Sequence, residues 1–245
     1  MALNPDSDAS GVWNAVWVEP GPPANSGDRP VVTGVMVSSV DGHVTEGGRV
    51  GGLTGPPDQA VLHRLRVVHD AVLVGATTVR VEGYDSLLSP TEQAQREALG
   101  QSPQPMLCVV SAHAALDPGL PALQANDLQV ILLTSAIADT AALPADIEVI
   151  RAESDDTGEL DISSLLAQLG EQLGVKRVLC EGGPTLVGSL VRSGNIDDLI
   201  LVMSPRISGG DGLRAVASAG AKPRPLELVA HAADGGFAFL RYRFH

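Results

Sequence analysis

The chain has 245 residues, 44% hydrophobic and 18% charged, which fits one large α/β domain with a full apolar core. A net charge of -13 with no basic run excludes nucleic acid and anionic membranes as expected partners. No apolar run nears the roughly 18 residues of a membrane helix, and residues 1–10 lack the basic and apolar regions of a signal peptide, so none is expected. The two cysteines, Cys108 and Cys180, sit in apolar runs as buried free thiols, so a cytoplasmic protein with neither metal site nor disulfide is expected.

Residues 1–29, rich in Pro, Gly, Ser and Asn, read as an irregular arm carrying Trp13 and Trp17, and residues 30–245 as a single domain. Val31–Val37 reads as a buried strand ending at Ser38 and Ser39, with a turn near Asp41 and Gly42. After the glycine-dense loop from Gly47 to Gly55, Thr54 caps a helix that runs to about His69. Pro56 and Pro57 stand at its start, and Val61, Leu62, Leu65 and Val68 lie along one face. Ala71–Val74 is a short strand closed by Gly75, and Thr91–Leu99 is the helical middle of a polar connection.

Met106–Val110, Val130–Leu133 and Ile147–Ile150 read as strands. Ile162, Leu165, Leu166, Leu169 and Leu173 recur at helical spacing, with Asp161 as cap and Gly174 as stop. Leu199–Met203 is a further strand, followed by a glycine loop at Ser208–Gly212 and two last strands, Leu226–Val229 and Phe237–Phe244. In the last, Phe237, Phe239, Arg241 and Arg243 alternate with Leu240, Tyr242 and Phe244, the pattern of an antiparallel edge with one wetter face. Strands alternating with helices early, and running together late, predict a mixed, mostly parallel α/β sheet finished by an antiparallel pair.

Val175–Leu190 is the most informative stretch. The apolar run Val178-Leu179-Cys180 ends in Glu181-Gly182-Gly183-Pro184, and a helical pattern follows. Two glycines admit positive φ and close approach, and Pro184 suits a first helical turn. The free amides and dipole there favour an anion such as a pyrophosphate. Either a strand–helix corner or an anion cradle satisfies these residues alone. The loops Ser38–Gly42, Gly75–Glu82 and Glu181–Thr185 all follow carboxyl ends of predicted strands, the edge where open α/β sheets bind ligands. Two such corners and the Ser208–Gly212 loop suit a long, multiply charged dinucleotide, held without a GxGxxG fingerprint. No GxSxG, HExxH or PCxxC element is present, and the six histidines are scattered. A site poor in acid–base groups and rich in anion-holding backbone points to a nucleotide-cofactor enzyme, hydride transfer first.

The ordered motifs Val37-Ser38-Ser39-Val40-Asp41-Gly42, Thr54-Gly55-Pro56, His63-Arg64-Leu65-Arg66, Asp70 to Val79 and Glu181-Gly182-Gly183-Pro184-Thr185-Leu186 resemble the pyrimidine reductases of riboflavin biosynthesis. The likeness runs from about Pro30 to the C-terminus and takes in Ser204-Pro205-Arg206 and Gly209-Gly210. It implies a dihydrofolate-reductase-like fold, NADPH as cofactor and a homodimer in the stand-alone form. It also implies hydride delivery to C1′ of 5-amino-6-(5-phosphoribosylamino)uracil. By the same resemblance, Val37, Thr78, Glu82, Ser111, Gly182, Gly183, Pro184, Thr185 and Leu186 contact the cofactor, Ser111 at its 2′-phosphate. Arg66 and Glu181 bind the substrate, with Arg66 on its phosphate, and Glu181 and Asp41 are the candidate catalytic groups.

The substrate half departs from the family pattern. Val35 stands where Lys or Asn is usual, Val50 and Gly52 where a serine and a tryptophan are, and Tyr84–Ser89 lacks a second phosphate-gripping arginine. Two alternatives therefore stand beside the leading one: an NADPH-dependent reductase of another pyrimidine or pteridine such as dihydrofolate, and a non-catalytic nucleotide-binding paralogue.

Overall fold

Apolar runs too continuous for a half-exposed sheet demand cover on both faces, and the chain supplies it with helices between strands. The computed structural model describes residues 12, 16, 29–44, 52–209, 212–217 and 223–245. Nine strands form one sheet: β1 (Val31–Ser38), β2 (Ala71–Gly75), β3 (Met106–Val110), β4 (Val130–Ser135), β5 (Glu148–Ala152), β6 (Arg177–Gly182), β7 (Asp198–Met203), β8 (Leu226–Asp234) and β9 (Phe237–Phe244). Their spatial order is β5-β4-β3-β2-β6-β1-β7-β9-β8. The first seven pair in parallel, while β9 runs antiparallel to both β7 and β8. This is the mixed, mostly parallel sheet with an antiparallel C-terminal pair that the strand pattern implies.

From residue 29 on, the helices among the described residues are α1 (Pro56–Val68), α2 (Ala76–Glu82), α3 (Pro90–Ala98), α4 (Pro121–Gln124), α5 (Ile162–Leu173) and α6 (Pro184–Ser193). Period-two alternation sends Val72, Val74, Leu107 and Leu179 to one face, against Val61 and Leu65 of α1. Leu73, Cys108, Val178 and Cys180 go to the other, against Leu165, Leu169, Val187 and Leu190 of α5 and α6. Burial pushes both thiols up to about 12, so neither serves as a nucleophile at neutral pH.

Several local expectations need correction. Helix α1 is capped at Gly55, not Thr54, and a side chain at Gly55 would strike the Phe237 ring. The Asp58 carboxylate accepts the Gly55 N–H at 2.5 Å instead. Helix α3 starts at Pro90, where Ser89 and Glu92 exchange hydrogen bonds as a capping box. Strand β8 extends to Asp234, beyond the expected Val229, because β9 offers it a full-length partner. The arm is not wholly irregular: Val12 and Val16 are helical and buried in the core, while Trp13 and Trp17 lie outside the described residues. The arginine-bearing face of β9 is the buried one, since Arg241 lies fully inside and donates to Asp198 Oδ2 at 2.7 Å.

Two buried polar residues tie α1 down. Arg96 of α3 donates Nη1 to the carbonyls of Arg66, Val67 and His69 (3.2, 2.8 and 2.7 Å), satisfying helix-end acceptors that would otherwise be orphaned. His69 Nδ1 donates to Leu65 O at 2.6 Å, and burial lowers its pKa to about 4 from an ordinary 6.5. Between those values the unfolded chain takes up a proton that the folded chain refuses. Stability therefore rises with pH across the window and is lost as pH falls from 6.5 towards 4, by on the order of 3 kcal/mol. Thermal melts at pH 7.5, 6 and 5 should show this fall, and His69→Gln should flatten it. A melt insensitive to pH in the parent would contradict it.

Candidate active site

Strand β6 inserts between β1 and β2, so at this switch in strand order the chain leaves a crevice beyond the strands' carboxyl ends. A cleft of about 850 Å³ opens there, lined by Val35 and Val37 of β1, Gly75 of β2, Val110 of β3, Glu181 of β6 and Val202 of β7. Val35 gives it an apolar wall at the position where the resemblance leads one to expect a polar group.

One end is built from two strand–helix corners. Gly75 precedes α2 and Gly183 precedes α6, and a Cβ on Gly75 would lie 3.8 Å from Gly183 N. A Cβ on Gly183 would lie 3.5 Å from Thr78 Oγ1. The two glycines thus leave between them the space that side chains would fill. Pro184 has no amide hydrogen, and the first helical hydrogen bond of α6 runs from Val187 N to Gly183 O. The amides of Thr185 and Leu186 sit in that first turn, where helices carry their surplus donors. Thr78, Glu82, Gly183, Pro184, Thr185 and Leu186 all line the cleft.

At the other end, Arg66 projects from α1 onto Glu181 of β6. Its Nε and Nη2 donate to the two carboxylate oxygens at 2.7 Å each, and its Nη1 donates to Leu87 O at 3.0 Å. The Tyr84 hydroxyl donates to Glu181 Oε2 at 3.0 Å, and the guanidinium lies 5.7 Å from the Tyr84 ring centroid. The pair is well buried, with side chains 11% and 5% exposed. Burial opposes the Arg66 charge, but the Glu181 carboxylate outweighs it and the pKa rises. Burial, then Glu181, pushes the Tyr84 phenol well above its ordinary value, so it stays a neutral donor.

Not every expected site residue faces this cleft. Asp41 does not line it. Its carboxylate accepts from Ser39 Oγ at 2.5 Å and from the amides of Ser208 and Gly209 at 3.1 and 2.8 Å, with His43 Nδ1 at 3.1 Å. Those bonds, Ser39 first, hold it well below the usual carboxylate range and brace the loop at Ser208 and Gly209. The Gly209 amide, proposed for an anion, is spent on it, and Gly210 lies outside the described residues. Ser111 is buried, with Oγ accepting from Ala115 N at 3.2 Å, and its neighbours Val110 and Ala112 line the cleft instead. Gly182 has φ +101°, and a Cβ there would come within 3.0 Å of Met36 Sδ; it shapes the turn without lining the cleft. Gly52 does not line it either, and Val50 lies outside the described residues. Tyr84 was the miss: the sequence showed an absent arginine there, and nothing local marked the hydroxyl that reaches Glu181 across 97 residues.

The chain matches a family model described as the RibD C-terminal domain over residues 30–236. It is 26% identical over 184 residues to the 2,5-diamino-6-ribosylamino-4(3H)-pyrimidinone 5′-phosphate reductase of Archaeoglobus fulgidus, covering 74% of this chain and 83% of that one. The Aquifex aeolicus reductase of the same name is 28% identical over 193 residues, covering 76% and 81%. Among solved structures, a pyrimidine reductase-like protein from Corynebacterium diphtheriae has the same fold (TM-score 0.72, 24% identity, 87% of this chain and 91% of that one).

Proposed function

The chain belongs to the RibD C-terminal domain family, and from that premise we propose that it is an NADPH-dependent reductase of the riboflavin-pathway type. Its proposed substrate is 5-amino-6-(5-phosphoribosylamino)uracil or the closely related diaminopyrimidinone for which the relatives are named. The observation that carries the reading is one cleft with an anion-holding end of glycine corners and a hydrogen-bonding end built on Glu181.

The glycine corners fit a dinucleotide. Thr185 and Leu186 would hold its pyrophosphate by their amides, Gly75 and Gly183 would let it approach, and Thr78 and Glu82 would contact it nearby. When bound, NADPH supplies the hydride that goes to C1′ of the ribosylamino group. The apolar wall of Val35, Val37 and Val202 excludes water from that region. Glu181, steadied by the Tyr84 hydroxyl, orients the donor groups of the pyrimidine, and Arg66 is the cation for the ribose phosphate.

Steady-state NADPH oxidation with the phosphoribosyl compound tests this reading; no turnover would sink it. Arg66 already being paired with Glu181 favours a second reading, an unphosphorylated pyrimidine or a pteridine such as dihydrofolate, which the same assay distinguishes. Gly75→Val should weaken NADPH about 10- to 100-fold, the loss of one or two good contacts. Its backbone (φ -78°, ψ 150°) accepts valine, so the melting temperature should hold. Unchanged NADPH affinity by fluorescence titration would remove the basis for the glycine gap as the cofactor site.

A further inference from the structure

The relatives are named for a substrate carrying a 5′-phosphate, yet among the described residues the cleft offers a phosphate no idle cation. Among its described lining residues Arg66 is the one lysine or arginine, set against the carboxylates of Asp58, Glu82, Asp85, Glu159 and Glu181. That guanidinium is already bound to both oxygens of Glu181 and to Leu87 O. We infer that the Arg66–Glu181 ion pair is a latch opened by the substrate. The phosphate takes Arg66, the ring N–H groups take Glu181, and one internal pair becomes two pairs with the ligand. This rests on the substrate class proposed above.

The energetics make the exchange all-or-none. Separating a buried pair without replacing both partners strands a charge in low dielectric. A phosphate alone leaves the buried Glu181 without its cation, and a ring alone must compete with a bidentate arginine. A substrate with both ends meets neither penalty, because a phosphate dianion outcompetes a monoanionic carboxylate for the guanidinium fork. Each partner keeps a tether during the exchange: Leu87 O for Arg66 and the Tyr84 hydroxyl for Glu181. The latch therefore couples the two ends of the substrate and rejects molecules that have only one.

The test compares the phosphorylated substrate with its dephosphorylated riboside. For the wild-type protein and the riboside, inorganic phosphate at tens of millimolar should raise kcat/KM about tenfold over chloride of matched ionic strength, roughly the worth of one released charged contact. Arg66→Met should lower kcat/KM for the phosphorylated substrate about 100-fold and raise it for the riboside about tenfold, because Glu181 is then free. An ordinary phosphate contact predicts no rise for the riboside in either arm. If the phosphorylated compound turns over but neither rise occurs, the latch is wrong and the proposed function stands. If the wild-type protein reduces neither compound while reducing a pterin, the substrate reading falls and the latch with it. The phosphate arm needs only wild-type protein, so a poorly folding Arg66→Met leaves the test intact.

Discussion

Glu181→Gln should lower kcat for the aminopyrimidine about 10- to 100-fold while the Kd for NADPH stays within about twofold, the loss of one or two charge-assisted hydrogen bonds on the substrate side alone. Glutamine keeps the shape of the side chain and still accepts one bond from Arg66, but its amide cannot accept at both ends. The expected split follows from the layout: Glu181 faces Arg66 and Tyr84, whereas the glycine corners form the other end of the cleft. Stopped-flow hydride transfer and a fluorescence titration read the two quantities separately. Collapse of NADPH binding with hydride transfer preserved would assign Glu181 to the cofactor.

The largest expected loss of stability lies away from the cleft. Arg241 and Asp198, fully buried at the junction of β7 and β9, are joined at 2.7 Å. Arg241→Met should cost about 3–5 kcal/mol, because Asp198 is left charged and buried with Arg243 Nε, at 3.4 Å, as the one nearby cation among the described residues. For a domain of this length that is a fall in Tm of roughly 6–20 °C. Adding Asp198→Leu to that variant should recover much of the loss, since a well-packed apolar pair often matches a buried ion pair. A single variant melting within about 2 °C of the parent would show that the pair is not the anchor of this edge.

The same residues show what can be read from sequence and what cannot. Met106–Val110, Phe237–Phe244 and the helix from Ile162, with Asp161 and Gly174 at its ends, come out at their exact bounds. Their signals are local: apolar periodicity, a cap and a stop. The strand–helix corners were legible for the same reason, as glycine and proline constrain their own backbone. The alternation in β9 left open which face is wet, because the partner that buries Arg241, Asp198, lies 43 residues away. The motif around Asp41 records which residue is present, not that Ser39, Ser208 and Gly209 already bond to its oxygens. The Arg66–Glu181 pair spans 115 residues, and only the folded sheet reveals that each consumes the other.

The placement of β6 has a consequence for how the chain is made. The strand that joins β1 to β2 begins at Arg177, about a hundred residues after β2 ends at Gly75, so both strands leave the ribosome well before their common neighbour. Until then β1 and β2 have no common neighbour, and pairings this distant in sequence form slowly. Gly183 and Glu181 arrive on that same strand and its turn. The strand that fills the middle of the sheet thus also brings these parts of the cleft, to which Val202 of β7 is added afterwards. Ligand that binds only the finished cleft adds its stabilisation to fully assembled molecules and to no earlier intermediate.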